Sequence, residues 1–422
     1  MPIDSILDRL IGFFTSLRLT VVCLLLGMVL VFLGTMAQEP MGLYLAQEKF
    51  FQSFFVPAAP MWAAIKKALQ MVHIFLTPSS ATDVLFGSNF PVFPGGYLVG
   101  GVLLINLLAS HYKRLSFTRA KAGIWMVHFG VILLLAGQFL TDRLARETNL
   151  HLKEGEAKNY SESEREAELA VIDTTDPGSD AVVAIPQRTL ESQKEIRRAD
   201  LPFRVRVKDF YRNSTVEERV AGSVAPPAAT QDIGTRATVL EQPRVTEMDR
   251  RDVPSAVIEL LTSQGSLGTW LVSEFIEQPQ SFTLNGRNYE LELRLRRYYN
   301  PFSIQLLEFK HDVYPGTDIP KNFSSRVRLT RSDTGENREV LIYMNSPLRY
   351  GGQTFYQSGF DPDNHGTILQ VVHNPSWLTP YFSCVLVGLG LVVQFSKHLL
   401  GFAFKRPAKK GEAARTAALA AR

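Results

Sequence analysis

Eight histidines are the side chains of this chain best suited to chemistry, and one of them is placed unlike the rest. The stretch from Arg119 to Glu147 reads R-A-K-A-G-I-W-M-V-H-F-G-V-I-L-L-L-A-G-Q-F-L-T-D-R-L-A-R-E. Between Lys121 and Asp142 about 20 residues carry no acid and no Lys or Arg, the length a membrane-spanning helix needs. His128 sits inside that run, roughly 10 Å past Lys121 at about 1.5 Å per residue. An ionisable side chain at that depth is costly, so its default reading is functional. A neutral imidazole offers one nitrogen to a metal and one proton to donate. No Asp, Glu or Cys surrounds it, which disfavours zinc and hard cations. Trp125 one turn before and Ile132 one turn after form an apolar wall, a setting that suits an axial haem ligand. The bland reading, a helix–helix hydrogen bond to a backbone carbonyl, stays open beside it.

The other histidines lie shallower. His73 and His373 fall near the expected outer boundary of the apolar runs, His111 and His398 near the inner one. Boundary histidines are mostly solvated, so His73 and His373 are kept only as lesser candidates. His151, His311 and His365 read as surface residues of an outer domain. No other span carries a deep histidine, so a second iron ligand is expected from another chain.

Other chemistries find no footing. Gly351-Gly352 and Gly95-Gly96 are not followed by the Lys-Ser/Thr of a phosphate loop, and no G-x-S-x-G, H-E-x-x-H or C-x-x-C occurs. The two cysteines, Cys23 and Cys384, fall in different apolar runs. Each lies about 9 Å from an opposite membrane boundary. Their depths differ by roughly 12 Å, whereas a disulfide needs Cα atoms within about 7 Å. Both read as packing residues.

The elements that must hold His128 follow from the pattern. The chain has 422 residues, is 45% hydrophobic and carries a formal charge of +4. Its apolar residues are clumped into four runs, Leu19–Ala37, Gly95–Tyr112, the stretch around His128, and Leu378–Ser396. The first, with its basic start, is too long for the apolar part of a signal peptide and reads as a retained span. Gly123, Gly130 and Gly137 recur every seventh residue and make a smooth stripe for close helix approach. At about 100° per residue, His128 points roughly opposite that stripe.

Basic residues set the orientation. Arg9 and Arg18 precede the first run, Lys113, Arg114, Arg119 and Lys121 crowd the link between the second and third, and a basic tail follows the fourth. Four spans place all three groups on the inner side with both termini. The tail follows an apolar run directly, so it is read as that orientation signal and not as a nucleic-acid site.

The expected organisation is α+β: four transmembrane helices and a large extracytoplasmic antiparallel β domain, a sandwich or open barrel. Residues 1–37 hold the N-terminus and first span. Residues 38–94 form an outer loop with an interfacial helix at Pro60–Leu76, whose Lys66 and Lys67 argue against spanning. Residues 95–141 hold the second and third spans, 142–377 the β domain, 378–396 the fourth span, and 397–422 the basic cytoplasmic tail. Within 142–377, Phe203–Lys208 and Tyr289–Arg296 alternate strictly. Asn285-Gly286 is a hairpin turn. Ser255–Leu261 with Gly268–Phe275, and Arg326–Arg331 with Arg338–Tyr343, read as further hairpins. Thr174–Gln187 and Ala221–Arg251 read as long loops.

The order of motifs resembles the ResB family, the CcsB-type subunit of system II cytochrome c biogenesis. The likeness is carried by S-L-R-L-T-V-V-C-L-L-L-G-M-V-L-V-F-L-G-T-M-A-Q near the start and P-V-F-P-G-G-Y before the second run. It continues in V-H-F-G-V-I-L-L-L-A-G-Q-F-L-T-D, E-G-E-A-K-N-Y-S-E-S, Y-G-G-Q-T-F-Y-Q-S-G-F and N-P-S-W. It covers about residues 10–400. The resemblance implies an inner-membrane protein with four spans and one large outer domain. It implies a partner, a ResC/CcsA-type tryptophan-rich membrane subunit, with which haem b is moved outward and attached to apocytochrome c. It places the family's transmembrane haem ligand on His128, with Trp125 as part of the haem-side wall. The tryptophans here, Trp62, Trp125, Trp270 and Trp377, are scattered. The partner's tryptophan-rich site is therefore missing, and catalysis by this chain alone is not expected.

Three readings follow. The chain is a haem-handling membrane subunit, or a structural chaperone of the partner in which His128 only packs, or an envelope sensor or adaptor whose β domain binds a ligand. An imidazole packed against its own bundle, with no room for a tetrapyrrole beside it, would favour the second.

Overall fold

The computed structural model describes residues 3–73, 90–114, 118, 121–219, 226–245, 250–316 and 320–404. The end of the expected interfacial helix, Arg119 and the basic tail past residue 404 lie outside them. The chain divides into two compact units, one made of 1–40, 46–144 and 375–422, the other of 41–45 and 145–374.

The first unit is helical. An amphipathic helix α1 (Ile3–Phe14) precedes α2 (Leu17–Ala46), which kinks around Pro40 and Gly42. Pro40 cannot donate its backbone nitrogen, and Gly42 sits at φ 79°, so the helical ladder is interrupted there. Helix α3 (Ala58–Met71) covers most of the expected interfacial segment and buries Ala58, Met61 and Ala64. Lys67 pairs with Glu39 and Lys66 lies over the Trp62 ring. Two short strands, β1 (Phe55–Pro57) and β2 (Pro91–Pro94), lead into α4 (Gly96–Arg114), followed by α5 (Ala122–Leu144). The P-G-G entry to α4 is explained by close approach. A Cβ on Gly95 would meet the Ser53 carbonyl at 2.3 Å and one on Gly96 the Phe51 carbonyl at 2.2 Å.

Among the described residues three helical segments are long and apolar enough to cross a membrane: Leu17–Phe51, α5, and a helix over Thr379–Ala403. Helix α4 forms where the second span was expected, but its polar residues, among them Asn106, Ser110 and His111, keep it out of that set.

The second unit is β. Strand β3 (Arg146–Lys153) pairs with β4 (Ala157–Asp173), and β4 runs along β13 (Arg287–Val313). The main sheet continues from β13 through β14 (Pro320–Arg331) to β15 (Glu336–Tyr343). On its other side it continues from β3 through β18 (Gly366–His373) and β17 (Gln353–Phe360) to β16 (Leu348–Tyr350). The two edge strands, β15 and β16, are consecutive in the chain, and Tyr343 bridges Ser346 between them. The sheet therefore nearly closes on itself, which removes most of its free edge. Alternate residues point inward, among them Leu150, Leu152, Ile304, Leu306, Val327 and Phe355, and fill the barrel.

The far halves of β4 and β13 leave the barrel to build a second core. There they carry β5 (Ala181–Pro186) and β12 (Gln280–Leu284), and face a separate sheet. That sheet orders β11 (Gly265–Ser273), β10 (Ser255–Thr262), β7 (Arg204–Tyr211) and β6 (Glu195–Ile196). Phe203, Trp270, Phe282 and Tyr289 interlock between the layers. The unit is thus both of the expected architectures at once, a barrel and a two-layer sandwich sharing two long strands. The Asn285-Gly286 turn has positive φ at both residues, 51° and 77°, as the tightest hairpins require.

Two expected loops are corrected. Thr174–Gln187 contains β5, paired residue for residue with β4, and opens the short helix α6 (Gln187–Ser192). Ala221–Arg251 contains β9 (Ala237–Glu241), which pairs with β8 (Ser214–Glu218). Both strands are short, of six and five residues, and the loops that join them to their partners carry no tight-turn signal, so local alternation gives little signal.

Candidate functional site

The glycine stripe of α5 is a packing seam against the last helix, α7 (Thr379–Ala403). A Cβ on Gly123 would meet the Gly390 carbonyl at 2.7 Å, one on Gly130 the Val387 side chain at 2.6 Å, and one on Gly137 the Thr379 methyl at 2.3 Å. Only hydrogens at these positions let the two backbones come so close. The other face of α5 carries Trp125 and His128.

That face meets α4, not open lipid alone. The His128 and His111 ring centres are 4.7 Å apart with planes at 80°, and His111 contacts the Trp125 ring at 5.1 Å. Helices α4 and α5 are joined by only seven residues, 115–121, so positions 111 and 128 return to neighbouring heights. His111 was expected near the inner boundary with no particular role. It is instead 7% exposed. Its Nδ1 donates to the Leu107 carbonyl at 2.7 Å, since a carbonyl can only accept, and this leaves the lone pair on Nε2. That Nε2 is buried without a partner. His128 is half-buried. Its Nδ1 too is buried without a partner.

Two neighbouring imidazoles with unused nitrogens are a donor set that lacks further protein ligands. Among the described residues no three His, Cys, Asp or Glu side chains gather as a metal site. Two nitrogens suffice where the metal brings its other ligands along, as a porphyrin iron does with its four ring nitrogens. An unpartnered imidazole nitrogen has the donor chemistry such an iron takes. The ring spacing sets a limit, however. Two imidazoles on opposite faces of one iron keep their centres roughly 6 Å apart, given about 2 Å per iron–nitrogen bond. At 4.7 Å and 80° no porphyrin stands between the rings in this arrangement.

The lesser candidates are placed elsewhere. His73 ends α3 with φ 59°, its backbone N–H on the Gln70 carbonyl. His373 closes β18, its Nδ1 at 3.0 Å from the Gly352 carbonyl. They belong to different units. His151 bonds Asp361 at 2.7 Å and His365 bonds Glu154 at 3.1 Å, while His311 stacks on Phe323 and Phe360. Cys23 is buried and Cys384 exposed, and both are free thiols.

Sequence reasoning missed His111. The signal was available in the length of the link. A short link between two antiparallel apolar helices brings the residues near it on either side to neighbouring heights, and His111 and His128 lie within two turns of it.

Comparison with known proteins bears on the whole chain. Residues 264–368, from β11 to the start of β18, match the model of the ResB-like family, a stretch that does not reach His128. Protein NrfI of Wolinella succinogenes is 24% identical over 294 residues, which is 69% of this chain and 29% of that protein. The chain therefore spans under a third of that relative's length. The family match falls in the β domain and the similarity to NrfI covers 69% of the chain, and both agree with the likeness to the ResB family that the motif order carries.

Proposed function

We propose that this chain is a membrane subunit of a system II cytochrome c synthetase complex. It helps move haem b across the membrane and presents it with apocytochrome c for thioether attachment. Its termini are cytoplasmic and its β domain lies on the outer side of the inner membrane. A ResC/CcsA-type tryptophan-rich subunit completes the complex and carries the attachment chemistry. In this reading His128 is an axial ligand of the haem in transit and Trp125 part of the wall beside it.

The observation that carries the reading is an imidazole inside a long apolar helix, with no carboxylate or thiolate to complete an ordinary metal site. The match of residues 264–368 to the ResB-like family model and the similarity to NrfI supply the context. Iron coordination would satisfy a nitrogen that is otherwise costly in an apolar setting. The chain's own contribution is to hold that nitrogen in place: the glycine seam on α7 fixes the rotation of α5, and with it the direction of the ring.

A scaffold role is the second reading, favoured by one observation, the edge-on contact of His128 with His111 inside this chain's own helices. The two separate on one variant. The full-length chain is copurified with its tryptophan-rich partner and its haem spectrum recorded. His128→Gly is expected to lose most of the bound haem and to regain it with added imidazole. Unchanged haem content and spectrum in that variant would leave only the scaffold.

A further inference from the structure

The end of α5 away from His128 carries a second cluster, which the haem reading leaves unused. We propose that Asp142 and Arg143, with the Phe54, Tyr97 and Phe139 rings, bind the headgroup of a zwitterionic membrane phospholipid, its phosphate on the Arg143 guanidinium. The inference goes beyond the haem reading and rests only on the part of the proposal above that sets α5 across a membrane.

Three observations carry it. The first is height. After Lys121 no acid and no Lys or Arg occurs until Asp142 and Arg143. These about 20 residues rise roughly 30 Å, the thickness of a hydrocarbon core, so a spanning α5 brings both charges to a headgroup layer. The second is the way Asp142 is held. The Gln52 amide donates to its Oδ1 at 2.6 Å and the Tyr97 hydroxyl to its Oδ2. Backbone bonds fix these donors: the Gly95 N–H donates to the Phe54 carbonyl at 2.8 Å and the Tyr97 N–H to the Ser53 carbonyl at 3.1 Å. Three stretches of chain thus build the position of one carboxylate.

The third is the seat of Arg143. Its guanidinium lies over the Tyr97 ring at 5.2 Å and the Phe139 ring at 5.6 Å. Stacking on ring faces leaves the N–H edge of the fork for phosphate oxygens, which it matches two at a time. Phe54 stands edge-on to Tyr97 at 5.8 Å, and Tyr97 to Phe139 at 6.2 Å. Phe54 is 58% and Phe139 51% exposed, so apolar faces stand ready beside the cation for the glycerol and first methylenes of a lipid. Asp142 and Arg143 together carry no net charge. A headgroup with a phosphate and an ammonium answers both, whereas an anionic headgroup answers one and is repelled by the other. Asp142 lies 14 residues past His128, about 21 Å along the helix. A lipid held here fixes the height of α5 in the membrane, and with it the height of the imidazole.

The test uses the full-length chain in detergent, stripped of lipid and titrated with phosphatidylethanolamine, phosphatidylglycerol or inorganic phosphate, with bound molecules counted by native mass spectrometry. The unaltered chain is expected to bind one phosphatidylethanolamine more tightly than any further copy and more tightly than phosphatidylglycerol. Arg143→Gln should weaken that first binding at least about tenfold, the loss of a hydrogen bond between charged groups. Asp142→Asn should shift the preference toward phosphatidylglycerol, which a merely structural role for Asp142 does not do. Arg9→Gln, a change in α1, should alter neither. Should Arg143→Gln melt lower in lipid-free detergent, Arg143→Lys decides: weaker first binding supports the site, and unaltered affinity overturns it. Unaltered affinity in a normally melting Arg143→Gln overturns it too, leaving Arg143 a solvated charge at a helix end. Inorganic phosphate that competes at equal concentration makes this a free-anion site and overturns the lipid. Equal binding of the two lipids overturns the choice of headgroup. None of these results touches the membrane reading. Release of the chain from vesicles by an alkaline wash would overturn that reading and this site together.

Discussion

A polar side chain persists between apolar helices where its hydrogen-bonding groups are used, and α4 holds two such residues that differ in this respect. Asn106 is 1% exposed and fully satisfied. Its amide donates to the Phe14 carbonyl at 2.7 Å and the Ser16 carbonyl at 3.1 Å, and its Oδ1 accepts from Thr20 at 2.6 Å. These bonds tie the break between α1 and α2 to α4. Asn106→Leu takes away the donor to the Phe14 carbonyl and the acceptor of the Thr20 hydroxyl, leaving the Ser16 carbonyl its bond from the Thr20 N–H, and is expected to cost about 1–3 kcal/mol. Thermal unfolding in detergent, with protease cutting near residues 14–17, reads this out; equal stability and equal cutting would mean that the junction does not depend on Asn106. His111, a turn and a half further along, keeps one nitrogen unused. Of the two imidazoles, His128 was legible in the sequence because it interrupts a long apolar run. His111 was not, because its depth was counted from Lys113 next door, and burial by a neighbouring helix leaves no trace in local composition.

At the level of elements, what the sequence displayed best was periodicity. The seven-residue glycine spacing of α5 identified a close-packing face, and the structure places α7 on it. Strands with strict alternation and a strong turn, such as the Asn285-Gly286 hairpin, were equally readable. Strands β5 and β9 were not, since each is a short run whose connection to its partner carries no tight-turn signal. The seam gives a paired prediction. In Gly123→Ala the new methyl meets the Gly390 carbonyl at 2.7 Å and the Gln394 nitrogen at 2.9 Å, both backbone atoms that cannot rotate away. The helices must part, at about 1–3 kcal/mol. Gly100→Ala adds the same methyl to α4 where nothing lies within 4 Å and should leave stability unchanged or slightly higher. Detergent melting curves of the two variants compare them directly; equal losses would show that helix flexibility, not close approach, selects glycine on α5.

For the molecule as a whole, most of the ion pairs among the described residues lie in the β unit, and this gives it a direction of pH sensitivity. The Phe309 backbone N–H, at 2.9 Å, and then His365 hold the Glu154 carboxyl below its ordinary range. Lys208, with Ser266, does the same for Glu259, and Arg204 with Arg206 for Glu195. Asp173 is lowered by the Thr175 hydroxyl, Asp333 by Arg331, and Glu336 by Tyr350. A carboxyl whose folded value lies below its unfolded value of about 4 stabilises the fold above that value. The contribution is lost as the pH falls through the folded value. Glu274 acts in the opposite sense. Burial pushes it up against the pull of Arg251, so its contribution is lost as the pH rises through its folded value. Glu156 is lowered too, by the Lys153 backbone N–H and Lys158 against its burial, so seven carboxyls against one among the described residues make acid the destabilising direction. These groups are largely at the surface, where solvent screening keeps each contribution small. The melting temperature of the β unit in the full chain, followed by near-ultraviolet circular dichroism, is expected to fall by about 5 °C or more between pH 5 and pH 3. Glu154→Gln should flatten part of that slope by removing one titrating group, because the amide keeps an acceptor for Phe309 but has no proton to gain. A melting temperature that holds or rises toward pH 3 would mean that these ion pairs are spectators and that the two apolar cores alone set the stability of the unit.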